Sequence, residues 1–422
     1  MFVFDKMPDP VLGLGGLEPG LSTEEKAVQG AAHQFAREVM RPIGVALDKM
    51  TPEEVIAHSS PIWSYLKQIK DSGLLDLKAL AAMSAQEKAR MMPLIFEELG
   101  WGDSGLTIAA IALSFPAFAA GMSGNPELIE EFGSSLGCWV GTQPDRGSDA
   151  VDWDATEVHP GARQPRGNLN AKVVGDQVVV NGQSAAWVSA GPLAQSAFVC
   201  CQCDYGDGLW DAQGRPNLIN VLVPFDHRVT KGKPLNKLGQ RALPQGEIFF
   251  NEVVLSKKYI MNGRDTAAGG LFGIVTFANM DMAMTFTGVA RAAFEHALAY
   301  VHERKQGGVA LINHQSVRAR IFNMWRKVET ARALTRRVVD FNFGSNGPHL
   351  LASITGKTFV TQTAVEVANE ALQLFGGNGL AKDYPLEKLL RDATASLIED
   401  GENNLLSLKG ATWLSKWYQH HS

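Results

Sequence analysis

The feature that most constrains the fold is a double change of hydrophobic period along the chain. TEEKAVQGAAHQFAREVM sets apolar residues three and four apart behind an acidic first turn opening at Thr23, and IWSYLKQIKDSGLL repeats the pattern before stopping at Gly73. The middle third reads differently. VVGDQVVVNGQSAAWVSA, SAFVCCQC, LINVLVPF and GEIFFNEVVL are short β-rich runs divided by turn pairs such as Gly175-Asp176 and Asn181-Gly182. After about Ser256 the helical spacing returns in DMAMTFTGVARAAFEHALAYVHERK, HQSVRARIFNMWRKVETARALTRRVVDF and LASITGKTFVTQTAVEVANEALQLF. Strands gathered between two helical blocks, with no strand-helix alternation, predict an α+β chain. Its parts are an N-terminal helical domain over 1–137, a middle antiparallel β domain over 138–256 and a C-terminal helical bundle over 257–422.

A chain of 422 residues buries a core without staples. A net charge of −5 with scattered Lys and Arg argues against nucleic acid as a partner. Four cysteines make no disulfide framework at this length, which favours a reducing compartment, and CCQC (Cys200, Cys201, Cys203) lacks the second ligand pair of a zinc site. Buried strand cysteines and no metal are expected. MFVFDKMPDP has an acid and two prolines where a leader needs a basic tip and an apolar core, so a cytoplasmic location is expected. Gly105 to Gly124 is apolar, but Pro116 and many small residues predict a buried pair of helices rather than a membrane span. No G-x-G-x-x-G follows a predicted strand, so a nucleotide cofactor would bind some other way.

Chemistry concentrates in FGGNGLAKDYPLEKLLRDATASLIEDGENN, residues 375–404. Gln373 ends a helix, and Gly376, Gly377 and Gly379 either leave N–H groups open to a phosphate or simply stop that helix. Tyr384-Pro385 opens a new helix whose stripe is Leu386, Leu389, Leu390, Ala393 and Leu397, ending at Gly401. Asp400 therefore sits at a helix break, either aimed into a cleft or solvated. In the β-rich third, WVGTQPDRGSDA gathers hydroxyl, amide and glycine groups that suit a flat ring. Trp187 and Ser189 are expected on one face of a strand, with Trp187 either core or cofactor contact.

TQPDRGSD, NGQSAAWVS, ERKQGGVALINHQ, QLFGGNGLAKDYPLEKLLRD and IEDGENN, in this order, resemble the FAD-dependent acyl-CoA dehydrogenase family from about Leu21 onward, most strongly after Asp281. The resemblance implies the helices-sheet-helices architecture and a homotetramer or heterotetramer, with an electron-transfer flavoprotein as a partner. It implies flavin contacts at Trp139, Thr142, Gly147, Ser148, Trp187 and Ser189. Arg304, Leu311, His314 and Gln315 would form a clasp for the nucleotide end across a dimer interface, with Gln373, Gly376 and Gly377 supporting the same end and Glu402 and Asn404 as further contacts. Asp400 falls on the family's catalytic glutamate, the base for the α-proton of an acyl-CoA as hydride leaves for the flavin.

Several positions depart from that pattern. Asp400 is a methylene shorter than glutamate, as in a nitroalkane-oxidising flavoprotein of the same superfamily; Asn279 falls where many members keep an arginine, Ala278 where a minority carry the base, and Gly307 on a usual phenylalanine. Asp145 and Arg146 are bulky where small residues are usual, and the N-terminal third lacks an E-x-x-G-G loop, which implies room for bulky acyl groups. The leading expectation is α,β-desaturation of an acyl-CoA; the alternatives are a flavin oxidase or monooxygenase, or a non-catalytic subunit.

Overall fold

The computed structural model describes residues 12–18, 20–152 and 166–422. The first eleven residues, on which the leader expectation rested, lie outside the described residues. The N-terminal block comprises α1 (Thr23–Phe35), a π-helical turn Ala36–Met40, α2 (Arg41–Asp48), α3 (Pro52–Ile56), α4 (Pro61–Ser72), α5 (Leu77–Ala82), α6 (Ala85–Gly102), α7 (Ser104–Ser123) and α8 (Pro126–Phe132). Ser22 rather than Thr23 caps α1. The Glu25 N–H donates to Ser22 Oγ at 3.1 Å while the Ser22 N–H donates to the Glu25 carboxylate at 2.7 Å, so the reciprocal box starts one residue earlier than expected.

α7 corrects a larger expectation: Gly105 to Gly124 is one helix, not a pair, and it runs through Pro116. An interior proline costs roughly 3 kcal/mol, which the burial of Leu106, Ala109, Leu113 and Ala120 along the same helix offsets. The Pro116 ring packs where the sheet begins, within 2.2 Å of the place a Cβ on Gly137 would take.

Eight strands form the central sheet: β1 (Gly137–Val140), β2 (Asn170–Val174), β3 (Gln177–Gln183), β4 (Ser196–Asp204), β5 (Leu218–Pro224), β6 (Val229–Lys231), β7 (Ile248–Ser256) and β8 (Ile260–Asn262). Their order is β6-β7-β3-β2-β4-β5-β8, with β1 also on β4. The expected antiparallel sheet is mixed: β1 and β2 both run parallel to β4, end to end along one edge. Periodicity reports that a strand exists, whereas its partner is fixed by how the long connections cross. Gly175-Asp176 is a two-residue hairpin turn with Gly175 at φ +53°, but Asn181-Gly182 is not a turn. β3 continues through it with a register shift against β7, a bulge. β4 is paired on both edges and covered on both faces, which buries Cys200, Cys201 and Cys203 as free thiols. The sheet's last strand ends at Asn262, beyond the boundary expected at 256.

The C-terminal block comprises α9 (Ala267–Glu303), a small ribbon of β9 (Lys305–Gln306) and β10 (Val309–Ala310), α10 (Gln315–Phe343), α11 (Leu350–Phe375), a 3-10 turn Gly376–Leu380, α12 (Leu386–Ala395) and α13 (Asn403–His421). α9 is the axis of the molecule and packs on α6, α10 and α11. At its crossing with α6 the two backbones touch. A Cβ on Gly288 would fall 2.0 Å from Glu97 O, and one on Gly100 would fall 2.0 Å from Thr285 O. Two helices, α7 and α9, are long and apolar enough to cross a membrane among the described residues, and each buries about half of that stretch inside the protein.

Candidate active site

A cavity of about 790 Å³ opens between the sheet, α7, α9 and the turn that follows α12. α7 lines it with Ile108, Ile111 and Phe115, α9 with Ile274, Val275 and Met282, and the end of β1 with Trp139. The apolar walls exclude water from whatever polar group reaches inside.

Asp400 reaches inside. α12 ends at Ala395, not at Gly401 as the spacing suggested, and the N–H groups of Leu397, Ile398 and Glu399 fold back onto Thr394 and Ala395 to make a turn. The chain then reverses through Asp400 at φ +52° and Gly401 at φ +102°, a left-handed pair that aspartate tolerates better than most residues. Other elements pin each peptide of this reversal. Asn279 Nδ2 donates to Asp400 O at 3.0 Å, and Lys357 Nζ to Gly401 O and Asn403 Oδ1 at 2.7 Å each. The Glu402 N–H donates to Ser148 Oγ at 3.0 Å. Asn279, flagged in the sequence as a lost arginine, thus holds the carboxylate loop. Burial pushes the Asp400 carboxyl above the ordinary aspartate range while the Lys357 charge pulls it back.

Trp139, Thr142, Gly147, Ser148, Trp187, Ser189 and Asp400 all line this cavity. Trp187 and Ser189 do so from a loop: β3 ends at Gln183, Trp187 is 62% exposed rather than core, and Ser189 Oγ accepts from Gln245 Nε2 at 3.2 Å. Of the bulky pair in the Thr142–Ser148 loop, Asp145 points outward and Arg146 is buried in the cavity wall, 3.8 Å from Asp149.

The expected nucleotide clasp lies elsewhere. Arg304 caps the far end of α9, and at about 1.5 Å per residue the 19 residues from Thr285 separate it from the cavity by roughly 29 Å. His314 Nε2 bonds Gln306 O at 3.0 Å beside it. Tyr300 ties the same end of α9 to the glycine turn, stacking on Phe375 at 3.8 Å and bonding Asn378 Nδ2 at 3.1 Å. Gln373, Gly376 and Gly377 therefore sit near Arg304, not near Asp400. Glu402 and Asn404 cap α13: the Glu402 carboxylate accepts from the Asn404 and Leu405 N–H groups at 2.9 and 3.1 Å and from Asn404 Nδ2 at 2.8 Å.

Sequence reasoning missed five charged groups on the cavity wall, Asp281, Glu399, Lys237, Glu247 and Arg391. Burial, and next the neighbouring Asp400, push the Asp281 carboxyl well above its usual range. Burial likewise drives Glu399 up and Lys237 down. The available signal for Asp281 was a lone acid within NMDMAMTFTGVA, one turn after Ala278.

The residues present fit a flavin. The cavity combines an indole wall, loop hydroxyls and open space above Gly147, where a Cβ would meet nothing within 4 Å. Buried Gln202 Nε2 on the same wall has no hydrogen-bond partner among the described residues, which leaves a donor for a bound group.

A sheet thus lies between two helical blocks, with a loop carboxylate held in the cleft they share, the fold that the comparisons below share. Residues 275–414 match the family model described as acyl-CoA dehydrogenase, C-terminal domain. It is similar to cyclohex-1-ene-1-carbonyl-CoA dehydrogenase of Syntrophus aciditrophicus (strain SB), 23% identical over 393 residues that cover 91% of this chain and 88% of that protein. A glutaryl-CoA dehydrogenase of Mycobacterium smegmatis in complex with FADH2 superposes with a TM-score of 0.76 at 21% identity, covering 94% and 95% of the two chains. A structure of the flavoprotein nitroalkane oxidase does so at 0.81 with 19% identity, covering 94% and 97%.

Proposed function

We infer that the protein is an FAD-dependent dehydrogenase that removes hydrogen from the α and β carbons of an acyl-CoA thioester, with Asp400 as the base. The observation that carries this reading is a carboxylate lining an apolar cavity on a loop pinned by Asn279, Lys357 and Ser148. Bound FAD supplies the acceptor for the β-hydride. Trp139, Thr142, Gly147, Ser148, Trp187 and Ser189 would hold its ring, and Arg304, Leu311, His314, Gln315, Gln373, Gly376 and Gly377 the nucleotide end belonging to a neighbouring protomer. Glu402 and Asn404 would act through the α13 cap.

Asp400 takes the α-proton onto a carboxylate oxygen. Its burial makes it a stronger base than a solvated aspartate, and its fixed loop keeps the geometry for transfer. The turn's closing bonds come from Leu397, Ile398 and Glu399. The Asp400 N–H takes no part in them and serves the thioester oxygen as enolate charge develops. The missing E-x-x-G-G loop supports a bulky acyl group, as does a relative named for a cyclohexene ring.

The test is anaerobic mixing of the purified flavoprotein with a panel of acyl-CoAs: the flavin bleaches with at least one, and Asp400→Ala abolishes bleaching. A second reading, a nitroalkane-oxidase-like enzyme, is favoured by aspartate at the base position. It is disfavoured by spacing: the arginine and aspartate named for that oxidase stand seven positions apart, and seven positions after Asp400 this chain has Ser407. Oxygen uptake with a nitroalkane and no thioester would favour it. A flavin that no thioester reduces would mean a non-catalytic subunit of a heteromer. Assembly as a tetramer, reoxidation by an electron-transfer flavoprotein and a cytoplasmic location complete the proposal, the last supported by four free cysteines.

A further inference from the structure

The α9 wall of the cavity is apolar except at two side chains one turn apart. Asp281 and Thr285 line it together with Ile274, Val275 and Met282. Asp281 Oδ1 and Thr285 Oγ1 are both sealed within the protein, and neither has a hydrogen-bond partner among the described residues. Elsewhere on the same helix threonines satisfy themselves. Thr276 Oγ1 donates to Phe272 O at 2.7 Å and Thr287 Oγ1 to Ala283 O at 2.8 Å. Thr285, only 1% exposed, does not follow them.

Asp281 is equally unprovided for. Lys357, the cation of this region, is committed to Gly401 O and Asn403 Oδ1 beneath the Asp400 loop. Burial and the nearby Asp400 charge both favour the protonated carboxyl, which presents one O–H donor and one carbonyl acceptor. An unpaired buried polar group is costly, so two of them on one apolar wall mark a place completed by something bound.

We propose that Asp281 and Thr285 are specificity-determining residues that recognise a neutral oxygen function, a hydroxyl or a carbonyl, on a bulky acyl group beyond its β-carbon. This rests on the dehydrogenase reading given above. Four residues of helix separate the pair by about 6 Å, so the oxygen they share lies within a few bonds along the acyl body. A carboxylate in that place would meet the acidic side chains of Asp281 and Asp400, while the cations of the cavity wall are engaged elsewhere, Lys237 with Leu243 O and Gln245 Oε1, Arg391 with Asp48 and Glu387, and Arg146 with Asp149, which leaves the neutral oxygen as the matching group.

The test compares matched acyl-CoAs that differ by one oxygen, moved stepwise outward from the γ-carbon, with their all-hydrocarbon counterparts. Two quantities are read on the holoenzyme: anaerobic flavin reduction, and the Kd of non-oxidisable thioether analogues by calorimetry. At one position of the oxygen the wild type is expected to prefer the oxygenated member by about tenfold or more. Asp281→Leu and the near-isosteric Thr285→Val should each remove most of that preference by weakening the oxygenated ligand. Equal handling of every pair by the wild type, or a preference that survives both substitutions, overturns the inference while leaving the dehydrogenase reading intact. Absence of bleaching with every thioester overturns the dehydrogenase reading and the inference with it.

Discussion

The Asp400 carboxyl is displaced upward by burial and restrained by Lys357, and this has a pH signature. The deprotonated form is the base, so kcat/KM should rise with pH along an acid limb lying above the ordinary aspartate value of 3.8. Lys357→Met removes the restraint and should move that limb to higher pH in stopped-flow profiles. Asp400→Asn should slow flavin reduction by at least about a hundredfold. Asp281 gives a stability test of opposite kind. A carboxyl whose folded pKa is raised contributes stability below its ordinary pKa near 3.8 and loses it as pH rises through the folded value. Asp281→Asn should therefore gain Tm relative to the wild type as pH increases from about 4 to 8. Asp400 was legible in the sequence as the acid beside Gly401 that follows a patterned helix, although that helix ends at Ala395. Asp281 was not, since its meaning depends on which face of α9 meets the cavity.

Among the elements, the α6–α9 crossing is where packing and charge meet. Glu97 is buried on α6 and accepts from Arg291 at 2.9 Å, Arg332 at 2.8 Å and Arg336 at 2.8 Å. Burial alone would raise its pKa, but the charges of Arg332, Arg336 and Arg291 win and hold it far below the usual glutamate range. Glu97→Gln removes the one carboxylate that all three cations share, leaving Arg291 with Glu98, Arg332 with Glu329 and Arg336 with Glu18, and should cost about 3–5 kcal/mol in urea unfolding. The wild-type contribution is present above the ordinary glutamate value of 4.5 and should fade as pH falls below it. Gly288→Ala drives a Cβ into Glu97 O and should destabilise by about 1–3 kcal/mol. The helices and strands were legible from their periods. The passage of α7 through Pro116, the bulge at Gly182 and the parallel pairing of β1 and β2 with β4 were not, because each is decided by contacts distant in sequence.

At the scale of the molecule, the two halves of the expected cofactor site lie along α9, its N-terminal half lining the cavity as far as Thr285 and its C-terminal end meeting Arg304 roughly 29 Å further on by helix rise. If a neighbouring protomer supplies the clasp, Arg304→Ala should lower the flavin bound per chain while leaving the Tm of the apoprotein unchanged, and flavin content should fall with dilution of the oligomer. The order of helices, strands and helices and the caps were determined by the sequence itself, since they depend on neighbours within a few residues, whereas the turn at Asp400 is pinned by Asn279, Lys357 and Ser148 from other elements. The cavity was decided by the tertiary structure. It exists only where α7, α9, the sheet and the turn after α12 converge, and that convergence turned Asn279 into a loop anchor and placed Asp281 and Thr285 together on one apolar wall.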